Sequence, residues 1–142
     1  MKKRDGGLRP MFKAKLPHYF FIAVENPISG GGVPDHHWCA RGISGWNEYK
    51  VSKGNVISFR PEQIAWHRKY ARYGGRSFII VRRESKRDGD ALMIFRGADA
   101  DKSMLKFEKP ILKFEGGPKH WDWLEIDKAL CNKQLAKPTL ER

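Results

Sequence analysis

The chain has 142 residues, with 28 Lys+Arg against 16 Asp+Glu and a formal net charge of +12. A chain of this length buries about two thirds of the surface it exposes when unfolded, enough for one core, which argues against two small domains; its 40% hydrophobic and 12% aromatic content argues against wholesale disorder. The longest apolar run, residues 19–24, falls far short of the roughly 18 residues that span a bilayer, so a soluble protein is expected.

Residues 1–17 read as a basic arm punctuated by Gly6, Gly7, Pro10 and Pro17. Residues 1–5 have the charge of a signal n-region, but Gly6-Gly7-Leu8-Arg9-Pro10 stands where its hydrophobic run would have to be, so no export signal is expected. Residues 18–24 are aromatic and β-branched enough for a strand. Asn26-Pro27-Ile28-Ser29-Gly30-Gly31-Gly32 then predicts a loop, entered at Glu25, whose glycines let a ligand approach the backbone. Residues 36–40 and 46–51 flank Arg41-Gly42-Ile43-Ser44-Gly45, a five-residue link that predicts a β-hairpin. Pro61-Glu62-Gln63 opens a helix that Gly74-Gly75 stops. Residues 76–83 predict a strand buried on both faces, and residues 91–95 another. Gly97-Ala98-Asp99 begins a short helix toward Leu105, residues 111–114 are extended, and residues 121–130 form a helix. The order β, β, β, α, β, β, α predicts a single α/β domain, a mixed sheet crossed by a helix in the right-handed sense.

The charge is unevenly placed. Residues 1–15 hold six Lys/Arg against one Asp, and residues 60–96 hold ten against four Asp/Glu. Such an excess points to a polyanion, because neutralised phosphates release condensed counterions. A membrane surface would want the charge on an amphipathic helix, which Gly6, Gly7 and Pro10 disfavour. Cys39 and Cys131 are far apart and form no CxxC pair, so a reducing cytoplasm is expected. His36, His37 and Cys39 invite a zinc reading, but consecutive residues of a strand face opposite sides and nothing nearby completes a tetrahedron.

The residues that carry chemistry are Asp35, after the glycine loop, and Glu48-Tyr49-Lys50 in the second strand of the hairpin. Residues two apart on a strand share a face, so Glu48 and Lys50 project together while Tyr49 points away, and the hairpin brings Asp35 beside them. Two carboxylates converging beside a lysine are costly unless a cation lies between them, and oxygen ligands suit Mg²⁺ or Mn²⁺. For phosphodiester hydrolysis the cation neutralises phosphate charge and acidifies a water, while an ammonium orients the water or stabilises the developing charge.

Gly32-Val33-Pro34-Asp35, then Glu48-Tyr49-Lys50 after a hairpin link, then Arg60-Pro61-Glu62-Gln63 opening a helix, then a β-branched strand after Gly74-Gly75, together resemble the PD-(D/E)xK nuclease superfamily. The likeness covers residues 18–83 and is strongest to virus-type replication-repair nuclease modules and phage Holliday-junction resolvase-like endonucleases. It implies a restriction-endonuclease-like mixed sheet flanked by helices. A nuclease core over residues 18–97 would follow the arm of residues 1–17, and residues 98–142 would pack on it as a C-terminal extension. The resemblance makes Asp35 and Glu48 metal ligands for Mg²⁺ or Mn²⁺, Lys50 the catalytic lysine, and Gln63 a group reaching from the helix toward the lysine or the water. Glu25 would be a third ligand, and the Tyr49 backbone carbonyl a further one. The sequence departs from the family in Tyr49, where an apolar residue is common, and in His36-His37-Trp38, which intervene before the apolar strand.

The implied activity is endonucleolytic cleavage of DNA, selective for Holliday junctions or other branches, in phage or repair DNA processing. It would take place in the cytoplasm, that of the host for a phage protein. Cutting a four-way junction symmetrically implies a homodimer. Arg60, Arg68, Lys69, Arg72, Arg76, Arg82 and Arg83 are expected to contact phosphates along the cleft, which positions a duplex without reading its sequence. The tryptophans could include a platform for unpaired bases, and the turn of residues 84–90 a mobile flap; His67, one turn after Gln63 on the same helix face, could approach the scissile phosphate, but an exposed helical histidine is the commoner outcome and the one expected. Two other readings compete: a non-catalytic basic nucleic-acid-binding protein, and a small interaction protein that uses its basic face against an acidic protein.

Overall fold

The computed structural model describes residues 5–24, 31–107 and 109–133. Its framework is a seven-stranded mixed sheet made of β1 (Phe20–Ala23), β2 (His36–Ala40), β3 (Ile43–Lys53), β4 (Val56–Ile57), β5 (Ser77–Glu84), β6 (Ala91–Arg96) and β7 (Leu112–Phe114). The strand order is β1-β2-β3-β5-β6-β7, and β4 pairs only with β3. Every pairing is antiparallel except β3 with β5, which helix α2 (Pro61–Arg72) joins as a crossover. The expected single α/β domain with a helix-crossed mixed sheet is the fold observed.

Each face of the sheet has its own core, because strand side chains alternate. One face presents Trp38, Tyr49, Phe78, Ile80, Leu92 and Ile94 to Leu8 and Phe12 of α1 (Leu8–Lys15) and to Ile126 and Leu130 of α4 (Trp123–Leu130). The other presents Ile79, Val81, Met93 and Phe95 to Ile57, Phe59, Ile64 of α2, and Met104 and Leu105 of α3 (Met104–Phe107). Ile79, Ile80 and Val81 are fully buried, as expected for a strand covered on both sides.

Three local readings are corrected. Within the stretch expected to be an arm, Leu8–Lys15 is helical: Pro10 falls in the first turn, where a missing N–H costs nothing. The Asp5 carboxylate accepts from the Gly7 and Arg9 N–H groups, and Leu8 and Phe12, four apart, share the buried face. The hairpin link is two residues, not five, since Ala40 already pairs with Ile43. Arg41 and Gly42 have φ of 51° and 77°, a type I′ pattern whose twist matches the strands. Gly45 lies within β3 against the Trp38 ring.

The helix expected to start at Gly97 is split into a 3₁₀ turn, Gly97–Asp99, and the separate α3. β7 extends the sheet beyond residue 97. Among the described residues no helix is long and apolar enough to cross a membrane.

Candidate active site

The register His36↔Asn47 at the end of β2 puts the next residue, Asp35, across from Glu48, on the sheet face covered by α2. Asp35 Oδ2 accepts the Tyr49 backbone N–H at 2.9 Å, and its Oδ1 lies 3.4 Å from the Arg9 guanidinium. Glu48 is 3% exposed and Lys50 projects from the same face, two residues on. The Lys50 ammonium donates to the Ser58 carbonyl at 2.8 Å and to Gln63 Oε1 at 2.9 Å, and stands 3.9 Å from Glu48 Oε2. Gln63 closes the circuit from the first turn of α2. Its Oε1 also accepts the Arg60 N–H at 3.0 Å, and its Nε2 donates to Glu48 Oε2 at 3.3 Å. Asp35, Glu48, Lys50 and Gln63 are therefore brought to one place, where the chain leaves β3, turns through β4 and enters α2.

The electrostatics of this cluster are those of an uncompensated acid pair. Burial, and then the charge of Glu48, push the Asp35 carboxyl up to about 6, against the pull of the Tyr49 N–H, Arg9 and Lys50. Burial pushes Glu48 up to about 7, opposed by the positive charge of Lys50 and, from farther off, of Arg60 and Arg9. The neighbouring cations do not make up for lost water. A divalent cation between the two carboxylates would do so, and an all-oxygen donor set fits a hard ion. Among the described residues no three His, Cys, Asp or Glu groups gather around one point; the acid pair is what these residues offer, and Glu25 lies outside them.

The Tyr49 side chain turns to the opposite core, where its hydroxyl meets His36 Nδ1 at 2.7 Å, so only its backbone faces the acids. His37 lies on the other face of β2, beside Trp46, and Cys39 is exposed. These three share no site. His67 is corrected from an exposed residue to a fully buried one. It shares the α2 face of Gln63, four residues earlier, and that face is pressed onto the sheet. Its Nδ1 is 2.8 Å from Ser77 Oγ, its Nε2 is 3.7 Å from Glu48 Oε1, and burial pushes it down to about 3, keeping it neutral.

The basic residues are sorted by the fold. Arg76 is 6% exposed and donates to the Leu130 and Asn132 carbonyls, tying β5 to the end of α4. Arg82 lies on the face away from the acids, bound to Asp90 at 2.8 Å and to the Gly6 carbonyl at 2.9 Å. Arg83 is on the site face and donates to Asn55 Oδ1 at 2.8 Å. Arg60 is exposed beside Glu62, and Arg68, Lys69 and Arg72 are exposed on α2. Arg68 and Arg72, with Lys102, Pro61 and Ile64, line an open groove of about 470 Å³ between α2 and residues 101–102. Trp38 and Trp121 are core, whereas Trp46 and Trp66 are half-buried on the site face, in edge contact with each other.

No family model matches this sequence, and no curated protein matches it significantly.

Proposed function

We propose that this protein is a divalent-metal-dependent endodeoxyribonuclease of the PD-(D/E)xK type, acting on branched DNA such as a four-way junction. The observation that carries the proposal is the convergence of Asp35, Glu48, Lys50 and Gln63, with both carboxyls pushed up toward neutrality by burial. Asp35 and Glu48 would hold Mg²⁺, or Mn²⁺ in its place, with the Tyr49 carbonyl and Glu25 as further oxygen donors. The bound ion supplies charge neutralisation at the phosphate and a more acidic water. Lys50, held by Gln63 and the Ser58 carbonyl, presents an oriented ammonium to the charge that develops on the phosphate. Gln63 keeps Lys50 and Glu48 apart yet bridged, so that neither is consumed in a tight ion pair.

Arg60, Arg68, Lys69 and Arg72 are exposed at the start and along the length of α2, the helix that carries Gln63, and suit phosphate contacts that position DNA without reading it. A symmetric cut in a junction calls for two copies of the site, hence a homodimer. The sparse cysteines, Cys39 and Cys131 without a CxxC pair, suit the cytoplasm as the place of this activity.

The test is cleavage of a labelled four-way junction across a Mg²⁺ titration, repeated in Mn²⁺. Glu48→Ala and Lys50→Ala are each expected to lower cleavage by about 100-fold or more while retaining junction binding. Variants that cut at the parent rate would refute the assignment. Tight binding with no divalent-dependent product from the parent would favour a non-catalytic nucleic-acid-binding protein.

A further inference from the structure

Two buried polar atoms face each other at the back of the site. Glu48 Oε1 and His67 Nε2 stand 3.7 Å apart, and neither has a hydrogen-bond partner among the described residues. Leaving a buried donor and a buried acceptor unpaired forfeits the water each gave up on folding. The separation exceeds a hydrogen bond by less than an ångström, a gap that a small rotation of the Glu48 carboxylate closes.

The other side of the imidazole is fixed. His67 Nδ1 is 2.8 Å from Ser77 Oγ at the start of β5. Gly97 seals the pair from the far side, where an added methyl would run into Ser77 Oγ and come within 2.9 Å of His67 Nδ1. The ring also stands edge-on to Trp66, with centroids 5.3 Å apart. A glycine that admits nothing larger, a serine with its hydroxyl on Nδ1, and a second nitrogen aimed at an acid together describe a held imidazole rather than packing alone.

Because a carboxylate accepts only, the nitrogen that faces it must carry the proton. Nδ1 is then the acceptor, and the Ser77 hydroxyl donates to it. We propose that Ser77, His67 and Glu48 form a hydrogen-bonded relay in which His67, as its Nε2–H tautomer, is a positioning residue for Glu48. The Ser77 hydroxyl fixes the tautomer, and Nε2–H holds Oε1 once the acid is ionised. This leaves Oε2 toward Gln63 and Lys50, so the acid is gripped from both ends. The proposal rests on the nuclease reading for its effect on rate, but its geometry stands without it.

The first measurement is therefore independent of cleavage. At about pH 8.5, where Glu48 is ionised, imidazole ¹⁵N NMR of the full chain is expected to show His67 with Nε2 protonated and Nδ1 bare, and Glu48→Gln is expected to shift the Nε2–H proton. A bare Nε2 would overturn the relay, as would an Nε2–H signal indifferent to Glu48→Gln. The second measurement is junction cleavage at saturating Mg²⁺. His67→Phe, which keeps ring volume and removes the donor, is expected to lower kcat by about 10- to 100-fold, the usual effect of losing a group that orients a metal ligand. His67→Gln, which restores a donor, is expected to recover most of that loss, with DNA binding unchanged in both. Full activity in His67→Phe would overturn the positioning role. A parent that yields no product in Mg²⁺ or Mn²⁺ would instead sink the nuclease reading, and the NMR result would still decide the relay.

Discussion

On the proposed nuclease reading Glu48 is under two opposing demands, since holding a cation would require its charge and burial resists that charge. A carboxyl raised in the folded state favours the protonated fold. Its contribution is complete below the unfolded value of 4.5 and is lost as pH rises through about 7; Asp35 behaves likewise up to about 6. His67 and His36, pushed down by burial to about 3 and about 4, act the other way and withdraw stability as pH falls below 6.5. The two effects nearly cancel between about pH 6 and 8, so the acids show in the difference between the parent and a variant that lacks one of them. Relative to Glu48→Gln, the metal-free parent is thus expected to lose on the order of 1 kcal/mol of stability between about pH 6 and 8. Saturating Mg²⁺ on the parent should remove that difference. Melting both proteins in chelator across this range is the check, and parallel curves would count against the uncompensated acid pair. Glu48 and Lys50 were legible because a two-residue spacing on a strand allows one geometry, and Gln63 because proline marks where the helix begins. The burial of His67 was not, since polarity along α2 does not say how far the sheet extends beneath it. Arg76 misled for a related reason: a charge ahead of a strand looks solvent-facing until two helix-end carbonyls claim it.

At the scale of elements, α1 departs most from the expected reading. Glycines and proline suggest an arm, yet Leu8 and Phe12 are fully buried, and Phe12 packs edge-on to Trp123 with ring centroids 4.9 Å apart. Basic residues concealed the signal: a helix with only two buried side chains has too short an apolar stripe to stand out in a charged segment. Phe12→Ala is expected to cost about 3–5 kcal/mol in urea unfolding, as for a buried core aromatic. An arm would lose next to nothing, so a change under about 0.5 kcal/mol would contradict the packing. β5 shows the opposite case. Its run of β-branched and aromatic residues is readable as a doubly covered strand, because no amphipathic alternative accommodates apolar side chains on both faces.

Across the whole molecule, the charge of +12 is divided between struts and free surface. Arg76 and Arg82 hold the fold together, whereas Lys69 and Arg72 stand exposed on α2. Only the second kind can release counterions from DNA. Lys69→Ala and Arg72→Ala are each expected to reduce the slope of log affinity against log salt by about 1, alike on every sequence. Fluorescence anisotropy over a salt series measures this, and unchanged slopes would place the DNA elsewhere. The Arg41–Gly42 turn bears on the same surface from a distance. Five rungs of strand, about 17 Å, separate it from the Asp35–Glu48 pair. Arg41 is anchored to α4, donating to Asp127 at 2.7 Å and to Cys131 Sγ at 3.3 Å. One residue added at the turn would slide the ladder by a rung and send the partner of Glu48 to the far side of the sheet. The spacing of the two acids is in this sense metered by a loop that never approaches them, and α4, which touches neither acid, keeps the gauge.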